Sequence, residues 1–376
     1  MAKNIKVEAI TTKADLKRFI MFSWEIYRGN PNWVAPLIID QKKLLDQKNN
    51  PFYEHSQIQN FLAYSSGEIV GRISAIINDN HNKFHNEKTG FFGFYESHDD
   101  PDVCTALFDA AENWIRDRGM DRMRGPVNPS TNDTCGLLID AFDQPAVVLM
   151  SYNPSYYVNL FEHAGLQKSK DLFAYYLDKS DINLKKIERV MNIIRKKMKV
   201  TIRYLDMKQF KRDVDLIKEI YNEAWEKNWG FVPMTDAEID HMAKGLKPVV
   251  VPELAMFALV DGEPVGFSLA VPDMNQALIK INGRLFPFGL PRVLWHSRKI
   301  DMLRVIITGL RKDFRKTGID GLFYYETYAR GVERGFSRGE FSWILEDNLA
   351  MRHGLENLGA HIYKTYRIYD KELNQG

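Results

Sequence analysis

The sequence lacks the features of secreted and membrane-spanning proteins. It has only 2 cysteines in 376 residues, too few for a disulfide framework, and its first ten residues lack the apolar core of a signal peptide. No apolar run approaches the roughly 20 residues that a helix needs to span a bilayer. These absences predict a soluble, cytoplasmic protein, an expectation that still allows peripheral contact with the inner face of a membrane.

Excess charge of one sign is also missing. The 51 basic and 49 acidic residues are interspersed and give a formal net charge of +2, so no basic stripe indicates nucleic-acid binding. What the chain does have is length and apolar content. With 45% hydrophobic residues, 376 residues are enough for two domains, each with its own core.

The C-terminal part of the chain contains a strand pattern, a glycine loop and a helix pattern in that order. Residues 305–310 are apolar and largely β-branched, and residues 322–332 have helical spacing. Gly318 and Gly321 lie between them, in a loop that also contains the basic residues Arg311, Lys312, Arg315 and Lys316. Such a turn directs free N–H groups of a helix start towards one point, which suits a phosphate group. The alternative is an ordinary glycine turn with solvated basic residues.

An internal repeat organises the chain. The hairpin pattern Gly67-Glu68-Ile69-Val70-Gly71 recurs as Gly262-Glu263-Pro264-Val265-Gly266, a shift of 262 − 67 = 195 residues. The helix-ending Gly165 recurs as Gly359, a shift of 359 − 165 = 194 residues. The alternative is a coincidence of glycines in two unrelated domains.

Each half has the predicted order β, α, β-hairpin, β, α, β, α, β, with a charged segment at residues 179–199 between them. This order predicts an α/β (α+β) fold with a mixed β-sheet and helices on both faces in each half. We therefore expect two domains, residues 1–179 and residues 180–376.

The second half resembles the GNAT superfamily of acyl-CoA-dependent N-acyltransferases, and the first half resembles a divergent copy of it. Residues 315–320, RKTGID, match the family loop (Q/R)-x-x-G-x-(G/A) except at Asp320, and the family's next strand and helix are matched by FSWILEDNLAMRHGLENLG. The resemblance implies an acyl-CoA substrate and no metal. It places coenzyme A on Leu310, Arg311, Arg315, Lys316, Thr317, Gly318, Ile319 and Gly321, with Asn348 at the pantetheine arm.

The corresponding loop of the first half, ESHDDPDV, has no glycine and four acidic residues, which would repel phosphate. We therefore expect coenzyme A to bind only the second half. The first half is expected to be a platform that shapes the acceptor site, with a degenerate binding role as the alternative.

Acyl transfer to an amine requires a proton acceptor, an oxyanion donor and a proton for the thiolate. The resemblance implies a strand Glu as base and a helix Tyr as acid, but the Tyr position is Leu355 here and Phe161 in the first half. The acid is therefore expected from Tyr363 or Tyr366, unless the thiolate leaves unassisted. Glu346 is the candidate base, with a solvated strand-end carboxylate as the alternative.

His81 and His85 are the candidate metal ligands of the sequence. Four residues apart, they would share one face of a helix, but the polar residues around them favour a loop and no third ligand is evident. The sequence therefore predicts no metal site.

Residues 282–299 are rich in apolar side chains, Leu285, Phe286, Phe288, Leu290, Leu294 and Trp295, and end in Arg298 and Lys299. This composition predicts an apolar lip with a basic edge that receives lipid from a membrane surface. The alternative is a loop that packs its aromatic rings onto the core.

The chain also resembles the bacterial group that includes acyl-CoA-dependent ceramide synthases. The predicted function is transfer of an acyl group from coenzyme A to a small-molecule or lipid amine, with a long acyl chain and a sphingoid-type amine as the narrower expectation. The alternative is a non-catalytic GNAT-like protein that binds a ligand or a partner. The oligomeric state is left open.

Overall fold

A computed structural model describes residues 4–182, 184–226 and 228–373. The chain forms two compact units. Unit 1 contains Met1–Leu172, Leu278–Leu290 and Lys364–Gly376, and unit 2 contains Phe173–Ala277 and Pro291–Tyr363. These units interleave along the chain and so differ from the two repeated halves. The division of the sequence at residues 179 and 180 stays a prediction.

Strands and helices alternate along the chain as the repeat predicts. The strands are β1 (Ile5–Ala9), β2 (Ser56–Ser65), β3 (Glu68–Asn78), β4 (Thr89–Ser97), β5 (Arg122–Gly125), β6 (Val127–Asn128), β7 (Thr134–Cys135), β8 (Leu137–Leu138), β9 (Gln167–Asp178), β10 (Val200–Tyr204), β11 (Ala255–Val260), β12 (Glu263–Pro272), β13 (Met302–Leu310), β14 (Arg338–Leu345) and β15 (His361–Glu372). The helices are α1 (Lys13–Met21), α2 (Ser23–Ile26), α3 (Ile38–Leu44), α4 (Asp79–His85), α5 (Pro101–Arg116), α6 (Tyr157–His163), α7 (Leu184–Met198), α8 (Phe210–Trp225), α9 (Asp236–Leu246), α10 (Asn275–Leu278), α11 (Gly289–Ser297), α12 (Ile319–Glu333) and α13 (Leu349–Asn357). The predicted mixed α/β fold is confirmed.

Unit 1 is built on a mixed sheet. Strands β1, β2, β3 and β4 pair antiparallel in that order, β4 pairs parallel with β5, and β5 pairs antiparallel with the end of β15. Helix α5 covers this sheet because its apolar side chains recur at helical spacing. The buried residues Leu107, Phe108, Ala111 and Ile115 of α5 join Ile73, Phe92 and Met123 of the strands in one core.

Unit 2 repeats the arrangement. Strands β10, β11, β12 and β13 pair antiparallel in order, and β13 pairs parallel with β14. The parallel ladder joins Met302–Val305 to residues 338–341 and ends at the pair Val305 and Phe341, although both strands continue for several residues. Beyond this pair, the facing backbone edges of β13 and β14 are not paired with each other.

The repeated hairpins share their backbone conformation. Ser66 and Gly67 have φ angles of 51° and 86°, and Asp261 and Gly262 have φ angles of 50° and 88°. Two successive positive φ values match the twist of the flanking strands, and glycine adopts the second without a steric cost. Each hairpin also has a register shift close to its turn. The shift lies between Ala63 and Tyr64 in the first hairpin and between Ala258 and Leu259 in the second. The glycines that revealed the repeat therefore occupy equivalent turns.

The region of His81 and His85 corrects the sequence interpretation. It is the helix α4, not a polar loop, and it is capped by Asn78, whose side chain accepts from the His81 N–H at 3.1 Å. The two imidazole rings lie 4.4 Å apart, and His81 is 1% exposed. Among the residues that the structure describes, no cluster of three or more His, Cys, Asp or Glu side chains is placed to hold a metal ion.

The predicted apolar lip contains a helix. Residues 289–297 form α11, and the side chains of Phe286, Phe288 and Trp295 are exposed. The alternative that these rings pack onto the core is therefore wrong. No helix in the described ranges combines the length and the apolar character that a bilayer crossing requires.

The burial of His81 predicts a pH-dependent stability. Burial, together with the neighbouring His85, lowers the pKa of His81 from 6.5 to about 4. The unfolded chain then binds a proton that the folded chain excludes between these two pH values, so folding stability decreases as the pH falls from about 6.5 to about 4. The full shift corresponds to roughly 3 kcal/mol.

The measurement is chemical denaturation of the wild type and of His81→Gln at pH 7 and pH 5. Because glutamine does not titrate, the variant should lose less stability at pH 5 than the wild type does. The matched control is His353→Gln, at an exposed position of α13. An acid sensitivity unchanged by His81→Gln would contradict this account.

Candidate active site

The loop between β13 and α12 has the geometry of an anion site. After a short 3-10 turn at Lys312–Phe314, the chain reaches Gly318, which precedes α12 with a φ of 90°. No side chain caps this helix start. The first N–H groups of α12 therefore point out of the helix, and the helix dipole adds a partial positive charge there. The predicted phosphate site has the required backbone geometry.

Helix α7 packs closely over this helix start. A Cβ atom on Gly318 would lie 2.6 Å from Ile194 Cδ1, and one on Gly321 would lie 3.3 Å from Met191 Cε. Met191 belongs to the core formed with Ile319, Leu322 and Phe323, and Ile194 packs against that core. Gly318 is thus required both for its positive φ and for the space that α7 leaves.

The basic side chains of the loop are largely engaged with α8. Arg311 Nη1 donates to Glu223 Oε2 at 2.9 Å, Lys312 Nζ lies 2.8 Å from Glu226 Oε2, and Arg315 Nη2 donates to the Ala224 carbonyl at 2.8 Å. These contacts tie the loop to the helix and partly offset the field that the sequence predicts. The side chain of Lys316 is exposed. Coenzyme A binding by Arg311, Arg315 and Lys316 stays a prediction.

The remaining predicted binding residues shape the loop. Thr317 Oγ1 donates to the Phe314 carbonyl at 2.6 Å, and Asn348 caps α13 by accepting from the Met351 N–H at 3.3 Å. Leu310 and Ile319 are buried in the core beneath the loop. Their contribution to ligand binding would come through the backbone.

A buried polar cluster lies at the closed end of the β13–β14 opening. Glu340 and Arg304 are register partners in the parallel ladder and are at most 2% exposed. Ser342 Oγ donates to Glu340 Oε1 at 2.7 Å and accepts from Arg304 Nε at 3.0 Å. The hydroxyl of Tyr363 donates to the other carboxylate oxygen, Glu340 Oε2. The cluster brings a proton acceptor and a hydroxyl donor together.

Sequence reasoning identified Tyr363 but not its partner Glu340. Glu340 and Ser342 are two residues apart in β14 and so lie on one face of the strand. A Glu with a polar residue two positions later, inside the strand pattern RGEFSWIL, is the signal that could have found them. A buried charge in a strand requires a partner, which Arg304 supplies.

The other predicted catalytic residues lie apart from this cluster. Tyr366 is three residues from Tyr363 in β15, so it projects from the opposite face of the strand, and it is fully buried. Glu346 follows the last residue of β14, and its carbonyl accepts from Arg352 Nη1 at 2.7 Å. Because Glu340 is six positions earlier, the two carboxylates are separated by about 20 Å of extended chain. Roles for Glu346 and Tyr366 stay predictions.

Unit 1 contains a pocket lined by aromatic side chains. It has a volume of about 430 Å³ and is lined in part by Trp24, Tyr27, Trp33 and Asn282. The rings of Tyr27 and Trp33 are stacked, with centroids 4.7 Å apart. The volume lies within the range of small-molecule sites.

Comparison with known proteins decides the family. The chain is 37% identical to the bacterial ceramide synthase of Caulobacter vibrioides and 35% identical to protein YghO of Escherichia coli strain K12, over 98% of this chain in both cases and over 98% and 95% of the relatives. No family model matches the sequence.

Solved structures agree on the fold. A tandem GNAT protein from the clavulanic acid biosynthesis pathway aligns with a TM-score of 0.57 at 9% identity. The alignment covers 99% of this chain and 100% of that protein's chain. A GCN5-related N-acetyltransferase from Sphaerobacter thermophilus matches 100% of this chain and 98% of its own with a TM-score of 0.53 at 15% identity. The chain belongs to the family of the bacterial ceramide synthase, and its fold is that of the tandem GNAT structures. The predicted acyl-CoA-dependent N-acyltransferase activity is confirmed at this level.

The two helices that follow the corresponding strands β4 and β13 start differently. These helices are α5 in the first half and α12 in the second. Helix α5 of the first half is capped by Asp100, whose side chain accepts from the Asp102 N–H at 3.0 Å. A carboxylate therefore already occupies the position that a phosphate would take. Since α12 has no such cap, the geometry favours the second half as the coenzyme A site.

The first half nevertheless has its own buried carboxylate. Tyr157 donates to Glu96 Oε2 at 2.7 Å, and Arg72 Nη2 lies 3.5 Å from Glu96 Oε1. Burial raises the pKa of Glu96 although Arg72 opposes the shift. Both halves of the protein thus combine a carboxylate, a tyrosine and an arginine, but of the two corresponding helices α5 has a side-chain cap and α12 has none.

Replacement of Gly318 tests the coenzyme A site. In Gly318→Val, the new side chain would be strained at positive φ and would meet Ile194. The valine would also obstruct access to the backbone N–H groups at the start of α12. We expect titration calorimetry to show one coenzyme A site per wild-type chain and an affinity lower by roughly tenfold or more in the variant.

Gly335→Val is the matched control, because Gly335 also has a positive φ, 92°, but its Cβ would meet nothing within 4 Å. Gly335→Val should bind coenzyme A normally. The double variant Gly318→Val/Ile194→Ala removes the clash between Val and Ile194, but its valine still obstructs the backbone N–H groups. Its affinity for coenzyme A should therefore stay low. Two equal sites in the wild type, or normal binding by a folded Gly318→Val, would contradict the assignment.

Proposed function

We propose that this protein transfers a long acyl chain from acyl-CoA to the amine of a sphingoid-type lipid. The observation that carries the site assignment is the uncapped start of α12 beside the open edges of β13 and β14. The lipid acceptor is supported by the relative named bacterial ceramide synthase, which matches over nearly the full length of both chains.

The proposed binding mode runs along β13. The pyrophosphate of coenzyme A binds the backbone around Gly318, and the pantetheine arm extends between the open edges of β13 and β14. Arg304 lies six residues before Leu310 in β13, a distance of about 20 Å along the strand. The extended arm thereby brings the thioester from the loop towards the cluster at Glu340. Backbone groups of the open strand edges replace the water lost by the amides of the arm.

The proposed chemistry uses Glu340 and Tyr363. The neutral amine attacks the thioester carbonyl, the new C–N bond forms, and the C–S bond breaks. A carboxylate can accept the proton that the amine nitrogen releases, and the tyrosine hydroxyl can supply a proton to the departing thiolate. Glu340 and Tyr363 already share a hydrogen bond, so proton transfer between them regenerates the starting state. Glu346 is the alternative base, and Tyr366 the alternative acid.

We also propose that the first half shapes the acceptor site. The pocket of unit 1 combines the aromatic side chains of Trp24, Tyr27 and Trp33 from the first half with the polar residues Arg28, Asn30 and Asn282, a combination that suits an amphiphile. A lipid acceptor would further require the cytoplasmic protein to work at the periphery of a membrane, at its inner face.

Removal of the Tyr363 hydroxyl tests the proton donor. In Tyr363→Phe, acyl transfer should slow by about 10²-fold while coenzyme A affinity stays unchanged, because general-acid assistance acts only in the transition state. The rate is measured by single-turnover mass spectrometry with a long-chain acyl-CoA and a sphingoid base.

Tyr176→Phe and Tyr366→Phe are the controls. Tyr176 packs on Tyr363 with ring centroids 5.6 Å apart, so its variant reports the effect of disturbed packing. Both controls should retain most of the rate. Full activity in Tyr363→Phe would leave unassisted thiolate departure as the better mechanism, and a loss confined to Tyr366→Phe would move the acid to that residue.

The acceptor class is tested with amines of graded hydrophobicity at a fixed acyl-CoA concentration. A sphingoid base should be acylated and a small polar amine should not. Acylation of small amines alone would refute the lipid acceptor, and acyl-CoA binding without product from any amine would favour the non-catalytic alternative.

A further inference from the structure

The segment from residue 284 to residue 299, here called the α11 segment, exposes five large apolar side chains. The exposed fractions are 75% for Phe286, 72% for Phe288, 42% for Leu290, 60% for Leu294 and 62% for Trp295. Single exposed apolar residues are common, but five within ten residues of one segment expose much apolar surface to water, which is unfavourable.

The charges of the α11 segment all have one sign. Arg284, Arg292, Arg298 and Lys299 are exposed, and the sequence has no acidic residue between Asp273 and Asp301. Elsewhere the chain mixes the two signs almost equally. An apolar surface among cations alone is complementary to a surface with an apolar interior and an anionic boundary.

The α11 segment is held in a defined conformation at its start. The Ile38 N–H donates to the Gly283 carbonyl at 3.0 Å, and Trp24 Nε1 donates to the Asn282 carbonyl at 3.3 Å. Gly283 fits tightly there, since a Cβ on it would lie 2.5 Å from the Pro36 carbonyl oxygen. The apolar side chains are therefore presented by an ordered backbone.

The α11 segment is also ordered along its length. The Leu290 N–H donates to the Leu285 carbonyl at 2.7 Å, which closes the turn that carries Phe286 and Phe288. Val293 and Ile300 are buried and anchor the helix and its end. Leu290 and Leu294 are four residues apart, so they share one exposed helix face.

We propose that the α11 segment docks the protein onto an anionic lipid bilayer. The rings of Phe286, Phe288 and Trp295 enter the interface between headgroups and acyl chains, and the four exposed cations contact anionic headgroups. The biological purpose of this docking, access to a lipid amine, rests on the proposed function. The docking itself is independent of catalysis and is tested without the reaction.

Vesicle flotation of the full chain provides the test. The wild type should float with vesicles of phosphatidylcholine mixed with phosphatidylglycerol, and much less with phosphatidylcholine alone, with binding that weakens as salt is added. Phe286→Ser/Phe288→Ser should lower binding by tenfold or more. Arg292→Glu/Arg298→Glu should lower it by roughly fivefold or more per residue on the anionic vesicles.

Val190→Ser/Ile193→Ser is the matched control. These α7 side chains are 44% and 57% exposed, so the substitution removes exposed apolar surface outside the α11 segment. This variant should bind vesicles like the wild type. Because all the replaced side chains are exposed, the melting temperatures of the variants should match that of the wild type.

Trp295 provides a direct readout. Brominated acyl chains should quench part of the protein fluorescence in the wild type, and this fraction should disappear in Trp295→Phe. Equal binding to both vesicle types, or wild-type binding by Phe286→Ser/Phe288→Ser, would overturn the proposal.

Two further outcomes would assign the α11 segment to another occupant and also overturn the proposal. One is self-association without vesicles that Phe286→Ser/Phe288→Ser abolishes, which indicates a second copy of the chain. The other is a changed acyl-chain-length preference in acyl-CoA binding without vesicles, which indicates the substrate chain. A variant that no longer docks should still acylate an acceptor that is solubilised in detergent. This result would show that docking and the proposed reaction are separate properties.

Discussion

The candidate site depends on the point where β13 and β14 stop pairing. Two parallel strands normally satisfy each other's backbone groups along their shared length, yet this ladder ends at Val305 and Phe341 while both strands continue. Unpaired backbone groups in a protein interior are costly unless water or a ligand satisfies them. An extended ligand rich in amides would suit such an opening, and α12, whose start has no side-chain cap, begins near the end of β13.

The closed end of the same opening contains the buried cluster of Arg304, Glu340, Ser342 and Tyr363. Burial of an ion pair costs free energy that apolar residues would not cost, so such a pair is weak evidence for stability alone. Here, the Glu340 carboxylate accepts from Ser342 on one oxygen and from Tyr363 on the other, and Ser342 in turn accepts from Arg304. Its position where the β13–β14 ladder ends agrees with the proposed role of Glu340 and Tyr363 in proton transfer.

The two halves differ in how the helix after the first parallel-paired strand begins. In the first half, Asp100 caps α5 with its own carboxylate, and in the second half Gly318 precedes α12 without a cap. The strand pairings before these helices are alike: β4 pairs parallel with β5 as β13 does with β14. The two halves therefore differ at the helix start while these strand pairings are the same.

Much of this could be read from the sequence because it is local. The hairpins at Gly67 and Gly262, the helix ends at Gly165 and Gly359 and the loop at Gly318 all have positive φ angles, a requirement that glycine meets best and that leaves a visible pattern. The absence of acidic residues around α11 is equally visible. Composition and periodicity thus determined the fold class and the repeat, and they predicted the half in which to look for a phosphate loop.

Other features required the tertiary structure because they depend on residues distant in sequence. Glu340 meets Tyr363 only through the packing of two strands, and the pairing of Arg304 with Glu340 depends on the register of the β13–β14 ladder. The basic residues of the loop contact α8, about ninety positions earlier, so their charge is partly offset by Glu223 and Glu226. Exposure of the aromatic rings near α11 was equally undetermined, because the same composition fits a packed loop. Backbone requirements such as a positive φ angle are local, so the sequence alone can indicate them. Side-chain partners and exposure depend on how distant segments pack, so only the tertiary structure determines them.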